Sequence, residues 1–566
     1  MPASDRPRSR SKYLLTAALV AAVVFFAAVP PGPARTPLSG QPDPRVLAGA
    51  YHIHTTRSDG ALDRDRVARA ASLAGLKFAV FTDHGDGTRE PAAPEYLHGV
   101  LCVDGVEVST DDGHYVALGI GRTPYPLGGA GDAVAEDVAR MGGFGIAAHP
   151  FSPRRELAWA DWAVPVDGLE WMNADSEWRD EKRLPVGRAL LGYLVRPAGA
   201  LASLLDRPVS TLAKWDQLAA TRPIIALAAH DAHGGLGREN GGSSGRRLNV
   251  PSYEATFRSF SLRVKLQTPV TGDAGRDAAL LLAAIRNGAV YTVVDAVATP
   301  GSLDFHASAA HVTFPMGAII PSDAGKVKFS ARADVPADAS ILLLRNGEVV
   351  GWRSGGTIEY EASQPGSYRI EVMVPRAPGT PQIPWVLTNP VFWFGSDSAP
   401  SAPVLGPLSS SPLPDGGWRT ETSSGSRASV SADNAGVRFA YELAGGDPAS
   451  QFAALVHDLH RQPEFSTIAF RASASQPARV STQLRYAQDG HRRWRRSFYV
   501  DQNEREVRIP VAQLRPADGP GQQPPSSRAT SLLLVIDLTN AVPGARGSLN
   551  VSDVRLERGN RSSVVR

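Results

Sequence analysis

A single cysteine, Cys102, stands among 566 residues, so no intrachain disulfide can form. This excludes a disulfide-stapled scaffold but leaves the compartment open, since exported proteins also fold without disulfides. Neither sign of charge is in excess: 59 Lys and Arg against 56 Asp and Glu leave a formal charge of +3. So balanced a chain gives no general argument for nucleic acid as a partner, and it shows no clear nucleic-acid-binding patch. No fixed-period repeat is visible, which argues against a solenoid or propeller. Long apolar runs are also missing, except at the N-terminus.

There, Arg6, Arg8, Arg10 and Lys12 precede a charge-free apolar run over residues 13–29. Pro30, Pro31 and Pro33 then stop any helix. Residues 1–45 therefore read as an export signal or N-terminal membrane anchor plus a Pro-rich linker. The remainder lies outside the cytoplasm, periplasmic or extracellular. The run is long for a cleaved signal core and short for a membrane span, so both readings stand.

From 46 to 300, short apolar runs alternate with helical patterns. Strands are predicted at 46–53, 78–82, 100–106, 115–119, 145–148, 168–171 and 224–229. Helices are predicted at 63–74, 131–141, 186–205, 211–220 and 277–287. This α/β alternation implies a parallel sheet, and seven strands imply a TIM-like barrel. Residues 301–396 instead show short strands between turn residues, the pattern of a small β-sandwich. Phe305, Phe314 and Trp385 read as its core. Residues 397–414 are rich in Ser, Pro and Ala and read as a linker, with few contacts expected across it. A fragment spanning 46–396 is accordingly expected to fold alone. Residues 415–566 form a second all-β region, which resembles a jelly-roll of the galactose-binding-like kind.

Eight of the 13 histidines lie between His52 and His233, most directly after an apolar strand. In a parallel barrel those strand ends converge on one face. His52 and His54 share a strand face at i and i+2, with Asp59 in the following loop. Asp83 and His84 close the next run, and Glu107 closes the third. His114 precedes a strand, and Pro150 leaves His149 at a strand tip. Asp231 and His233 repeat the i, i+2 spacing after another apolar run. Taken singly, each motif also fits a polar strand end or a turn. Together they supply His, Asp and Glu donors at five strand ends, a set that suits Zn, Mn or Fe. His230 reads as packed or as support for a ligand. Cys102 reads as a buried small apolar residue. Arg57, Arg154 and Arg155 sit in loops beside these motifs, where they can bind phosphate or simply be solvated. No Ser or Cys nucleophile motif stands out.

The ordered set His52-Ile-His54-Thr55, Ser58-Asp59-Gly60, Thr82-Asp83-His84, Gly105-Val106-Glu107, Ala148-His149-Pro150 and Asp231-Ala232-His233-Gly234 resembles the PHP (polymerase and histidinol phosphatase) family over residues 46–300. The segments Gly168-Leu-Glu170-Trp-Met-Asn173 and Trp385-Val-Leu-Thr-Asn389-Pro390 resemble its exported CehA/McbA-type metallohydrolase branch. The resemblance implies a distorted (β/α)7 barrel holding two or three divalent metal ions. It places His52, His54, Glu107 and Asp231 on a first metal. Glu107 then bridges to a second metal with His114 and His149, while Asp59, His84 and His233 hold a third. Glu107 and Asp231 become the catalytic carboxylates.

Such a cluster activates water without a protein nucleophile, as a metal-bridging hydroxide. The leading expectation is an exported phosphoesterase acting on a small-molecule or oligomeric phosphate ester. A carbamate, ester or amide hydrolase with the same centre is a second reading. A non-catalytic surface-binding protein is a third, disfavoured because buried donors without metal are costly. The run Arg492-Arg-Trp494-Arg-Arg496 reads either as a glycan or cell-surface contact or as one exposed strand with Trp494 at the core rim.

Overall fold

The computed structural model describes residues 13, 14, 16, 23, 27–36, 41–179, 181–235, 250–395, 409–414, 416–433, 436–445, 451–460, 463–487, 492–517 and 521–559. Most of the N-terminal signal or anchor, and residues 397–408 of the expected linker, lie outside that set. Among the described residues no helix is long and apolar enough to cross a membrane.

The apolar runs of the first region form the strands that place the site. They are β1 (Val46–Ile53), β2 (Phe78–Phe81), β3 (Val106–Thr110), β4 (Gly113–Leu118), β5 (Phe144–Ala147), β6 (Gly168–Asn173) and β7 (Ile225–Ala229). β1 and β2 pair in parallel, as do β5 with β6 and β6 with β7. Single parallel bridges, Ile53 to Ala232 and His84 to Glu107, link these two sheets. The pairings thus run round a ring of seven strands.

The ring departs from the expected parallel order at β4, which is antiparallel to both β3 and β5. The strand expected over 100–106 is two. Val100–Asp104 pairs with β2 outside the ring, and β3 starts after Gly105. A Cβ at Gly105 would lie 2.5 Å from Leu118, so only glycine lets the chain step across here. Ser261–Lys265 and Val290–Val293 are strands that the sequence reading missed. They extend the sheet antiparallel from the outer edge of β1.

Val290–Val293 pairs in turn with Val386–Thr388, so this sheet continues without a break into residues 301–396. Opposite it, Leu303–Ala309, Val312–Pro315, Val327–Ala333 and Thr357–Ala362 form a four-stranded sheet. Phe329 stacks on Tyr368 between the layers at 4.1 Å. Phe305 and Trp385 are buried, and Phe314 is partly so. One apolar core runs through both regions.

Residues 409–559 form two six-stranded sheets around a separate core, with Trp494 inside it. This part sits on the first region through charged pairs. Arg479, fully buried, donates to Asp137 at 2.9 and 3.0 Å and to Glu136 at 3.0 Å. Arg515 reaches Asp112 at 2.5 Å and also pairs with Asp161. Asn540 donates to the carbonyls of Pro126 and Gly128. The expectation of few contacts across the linker is therefore corrected. Of the arginine run, Arg495 pairs with Asp111 and Arg496 with Asp132, so these two face the first region, while Trp494 lies in the core.

Candidate metal centre

The strand ends of the ring bring all nine predicted donors together. Glu107, on β3, lies at the middle of them. Its Oε2 is 3.2 Å from His52 Nε2, 3.3 Å from His54 Nε2 and 3.1 Å from His84 Nδ1. Its Oε1 is 2.8 Å from His114 Nδ1 and 3.1 Å from His149 Nε2. Asp231 Oδ1 lies 3.5 Å from His52 Nε2 and 3.3 Å from His54 Nε2. Asp59 faces His54 at 3.3 Å, His84 at 3.6 Å and His233 at 3.2 Å. Three subsets bring one donor atom per residue within 4.8 Å of one another: His54, Asp59, His84 and His233; His52, His54 and Glu107; His84, Glu107 and His114.

Local backbone geometry serves this convergence. His52, His149 and Asp231 all adopt positive φ, at 62°, 28° and 44°. For residues with a Cβ this costs about 1–3 kcal/mol each, a strain that concentrates where side-chain aim matters. Asp83 is not among the closest donors. Its carboxylate accepts from Thr55 N, Thr55 Oγ1 and Ser58 Oγ, holding the loop that presents Asp59.

Two supporting residues were missed as such. Glu170, buried on β6, lies 2.6 Å from His52 Nδ1 and accepts from the His149 backbone N–H at 2.7 Å. Asn173 donates to Glu170 at 2.8 Å and to Asp231 at 3.2 Å. With His52 Nδ1–H donated to Glu170, its Nε2 lone pair is left facing the cluster. His233 is fixed similarly, donating from Nδ1 to the Asp231 carbonyl at 2.9 Å. The sequence signal was the Gly168–Asn173 segment itself. Its carboxylate lies inside an apolar run rather than at its end.

The donor set fits cations. His52 Nε2, His54 Nε2, His84 Nδ1 and Glu107 Oε2 are buried and lack a hydrogen-bond partner in the protein. Burial would raise the pKa values of Glu107 and Asp231, but surrounding imidazoles, His52 foremost, hold both well below the usual carboxylate range. Burial likewise opposes charge on His54, yet Asp231 and Glu107 push it up to about 10. The pocket is thus built to be filled by positive charge, which protons or metal ions can supply.

The centre floors a cleft of about 650 Å3, also lined by Arg154, Trp178, Leu201, Leu204 and Leu205. Arg154 lies on the wall of this cleft, whereas Arg57 pairs with Asp104 at 2.8 Å and lines a neighbouring cavity beyond His84. Arg155 is exposed and lines neither cavity. His230 stacks on Phe260 at 4.2 Å and meets the Phe260 carbonyl at 3.0 Å, a packed residue.

No family model matches the chain. Over 137 residues it is 28% identical to an uncharacterized protein of Methanocaldococcus jannaschii, covering 22% of this chain and 80% of that one. Among solved structures it is similar to one described as a "putative metal-dependent phosphoesterase" of Bifidobacterium adolescentis. That match has 14% identity and a TM-score of 0.22, and covers 36% of this chain and 92% of that one. It is also similar to a family 11 carbohydrate-binding module of Clostridium thermocellum, with 15% identity and a TM-score of 0.23. There the shares covered are 27% of this chain and 96% of that module.

Proposed function

We propose that this chain is an exported metal-dependent phosphoesterase of PHP type. The observation that carries the reading is the convergence of nine His, Asp and Glu side chains around Glu107, several with buried donor atoms that no protein group satisfies. His52, His54, Glu107 and Asp231 would hold one ion. Glu107, His114 and His149 would hold a second, and Asp59, His84 and His233 a third. Divalent ions in such a site supply Lewis acidity, lowering the pKa of water and offsetting charge on ester oxygens.

The chain's own residues do the rest. Glu107 presents one oxygen to His114 and His149 and the other to His52, His54 and His84, so it can serve two ions at once. Glu170 fixes the ring orientation of His52. Arg154, on the cleft wall, complements a phosphate dianion better than a neutral carbamate, which favours phosphate esters among the hydrolytic readings.

The test is metal analysis of the purified full chain with a substrate panel. More than one transition-metal ion per chain is expected, with turnover of nitrophenyl phosphates exceeding that of nitrophenyl esters and carbamates. A chain that retains no metal after reconstitution with zinc, manganese or iron is not this enzyme.

A further inference from the structure

Beside the cleft, the fold leaves an apolar helical face uncovered. α1 (Arg64–Leu73), α2 (Gly131–Arg140) and α3 (Ala174–Arg179) are followed by α4 (Arg183–Tyr193) and α5 (Pro197–Ala202). Leu184, Leu191 and Val195 recur at i, i+7 and i+11, on one side of α4 and its C-terminal extension. Leu190 and Leu194 lie to one side of that stripe. Leu184 is 84% exposed and Leu194 76%, and Leu190, Leu191 and Val195 are exposed as well. A soluble surface rarely gathers five large apolar side chains in so short a segment without covering them. The cations Lys182, Arg183, Arg188 and Arg196 are exposed among them, with no exposed acid on α4.

The same helices hold the chain as it leaves the apolar N-terminal run. Arg188 donates to the Ala27 carbonyl and Arg196 to the Pro30 carbonyl, both at 2.7 Å. A Cβ at Gly192 would lie 2.8 Å from the Ala28 carbonyl oxygen, and one at Gly199 would lie 3.0 Å from the Pro30 ring. Both glycines therefore let the emerging chain sit against α4 and α5. Ala34–Arg35 then pairs with Ala298–Thr299, fixing the exit point to the body. Residues 27–30, at the end of the apolar run, thus lie against α4 and α5 beside the leucine stripe. On its other side, the α5 segment contributes Leu201 to the cleft, and Leu204 and Leu205 follow it there.

We propose that the face formed by α4 and α5 rests on an anionic lipid bilayer. The cleft then takes an amphiphilic phosphate ester from that bilayer. Its phosphate lies at the metal centre, and its hydrocarbon chain lies along Leu201, Leu204, Leu205 and Trp178. The exposed leucines enter the interfacial layer while Lys182, Arg183, Arg188 and Arg196 meet anionic headgroups. The substrate part rests on the phosphoesterase reading; the membrane contact does not.

Cys102 is buried, so a cysteine placed elsewhere is the one site open to labelling in the folded chain. An environment-sensitive fluorophore on Leu194→Cys of the full chain is mixed with phosphatidylcholine–phosphatidylglycerol vesicles containing brominated lipid. Quenching by at least about twofold is expected, and none for the same label on Val349→Cys, exposed on the strand Glu348–Ser354 of the sandwich. Equal signals from the two positions overturn the membrane contact. The triple variant Leu184→Asp, Leu191→Asp, Leu194→Asp is then compared with the parent on two substrates. At least a tenfold loss is expected on hexadecyl nitrophenyl phosphate in vesicles, with bis(nitrophenyl) phosphate in solution turned over as before. Equal rates on the vesicle substrate overturn delivery from the bilayer. Quenching in a metal-loaded chain that hydrolyses neither ester leaves the membrane contact standing and removes the phosphoesterase reading instead.

Discussion

Glu107 is the residue on which the centre depends, because both its oxygens are shared among five imidazoles. An amide in its place removes the charge and turns one donor atom into an N–H. Glu107→Gln should lose turnover by at least about 100-fold, more than a supporting residue would cost. Glu170 acts one step out. Glu170→Ala should weaken metal retention about 10–100-fold, read by chelator competition, because His52 loses the acceptor that sets its tautomer. Near-normal retention would make Glu170 a packing residue only. Cys102 gives a test independent of metal. Burial pushes its thiol up to about 11, whereas an unfolded cysteine titrates near about 8.5. Its contribution to stability is therefore complete below about pH 8.5 and is lost as pH rises through about 11. A thiol reagent at pH 8 should label Cys102 only after denaturant is added, and rapid labelling of the native chain would refute its burial.

At the scale of elements, what the sequence revealed followed from how strands end. His54, His84, His149 and His233 each follow an apolar run, so the switch from apolar to polar marks the strand tip. A ring of strands then gathers those tips. Glu170 was not legible as a positioning residue because it lies within the buried run of β6, where a charge gives no end signal. Ser261–Lys265 was missed because Arg263 and Lys265 alternate with apolar residues, the look of a surface segment. In the fold Arg263 instead pairs with Asp295 at 2.6 Å. Arg479 carries no burial signal for the same reason. Its place in the alternating strand Ala478–Tyr486 reads as solvent-facing, yet it is sealed against Asp137. Arg479→Ala leaves that carboxylate without its main partner in the interface. It should lower the unfolding free energy by about 3–5 kcal/mol, the range for breaking a buried pair, measured by denaturant titration. A change within about 0.5 kcal/mol would mean that water reaches the pair in solution.

At the scale of the whole molecule, the C-terminal region belongs to the architecture of the site rather than being an appendage. Composition alone makes residues 397–414 look like a free tether, and no local pattern predicts which surface a second core will meet. The contacts fall close to the candidate donors. Arg515 pairs with Asp112, whose carboxylate also accepts from Gly131 N and fixes the start of α2. Asp112 is two residues from His114, and the Asp112 carbonyl accepts from Ala160 N in the segment that follows His149. Removing residues 397–566 would take Arg515 from Asp112 and Asp161 and Arg479 from Asp137, which keeps only Arg140. Like charges released together repel, and the turn before β4, the strand that carries His114, loses its outer support. A fragment spanning 46–396 should therefore be less stable than one spanning 46–566 and should hold the ion shared by Glu107, His114 and His149 less tightly. Metal titration of the two fragments, followed by thermal unfolding, reads both effects. Equal metal stoichiometry and equal melting temperatures would show that the ion pairs cost as much to desolvate as they return, and that the second core merely rests on the first.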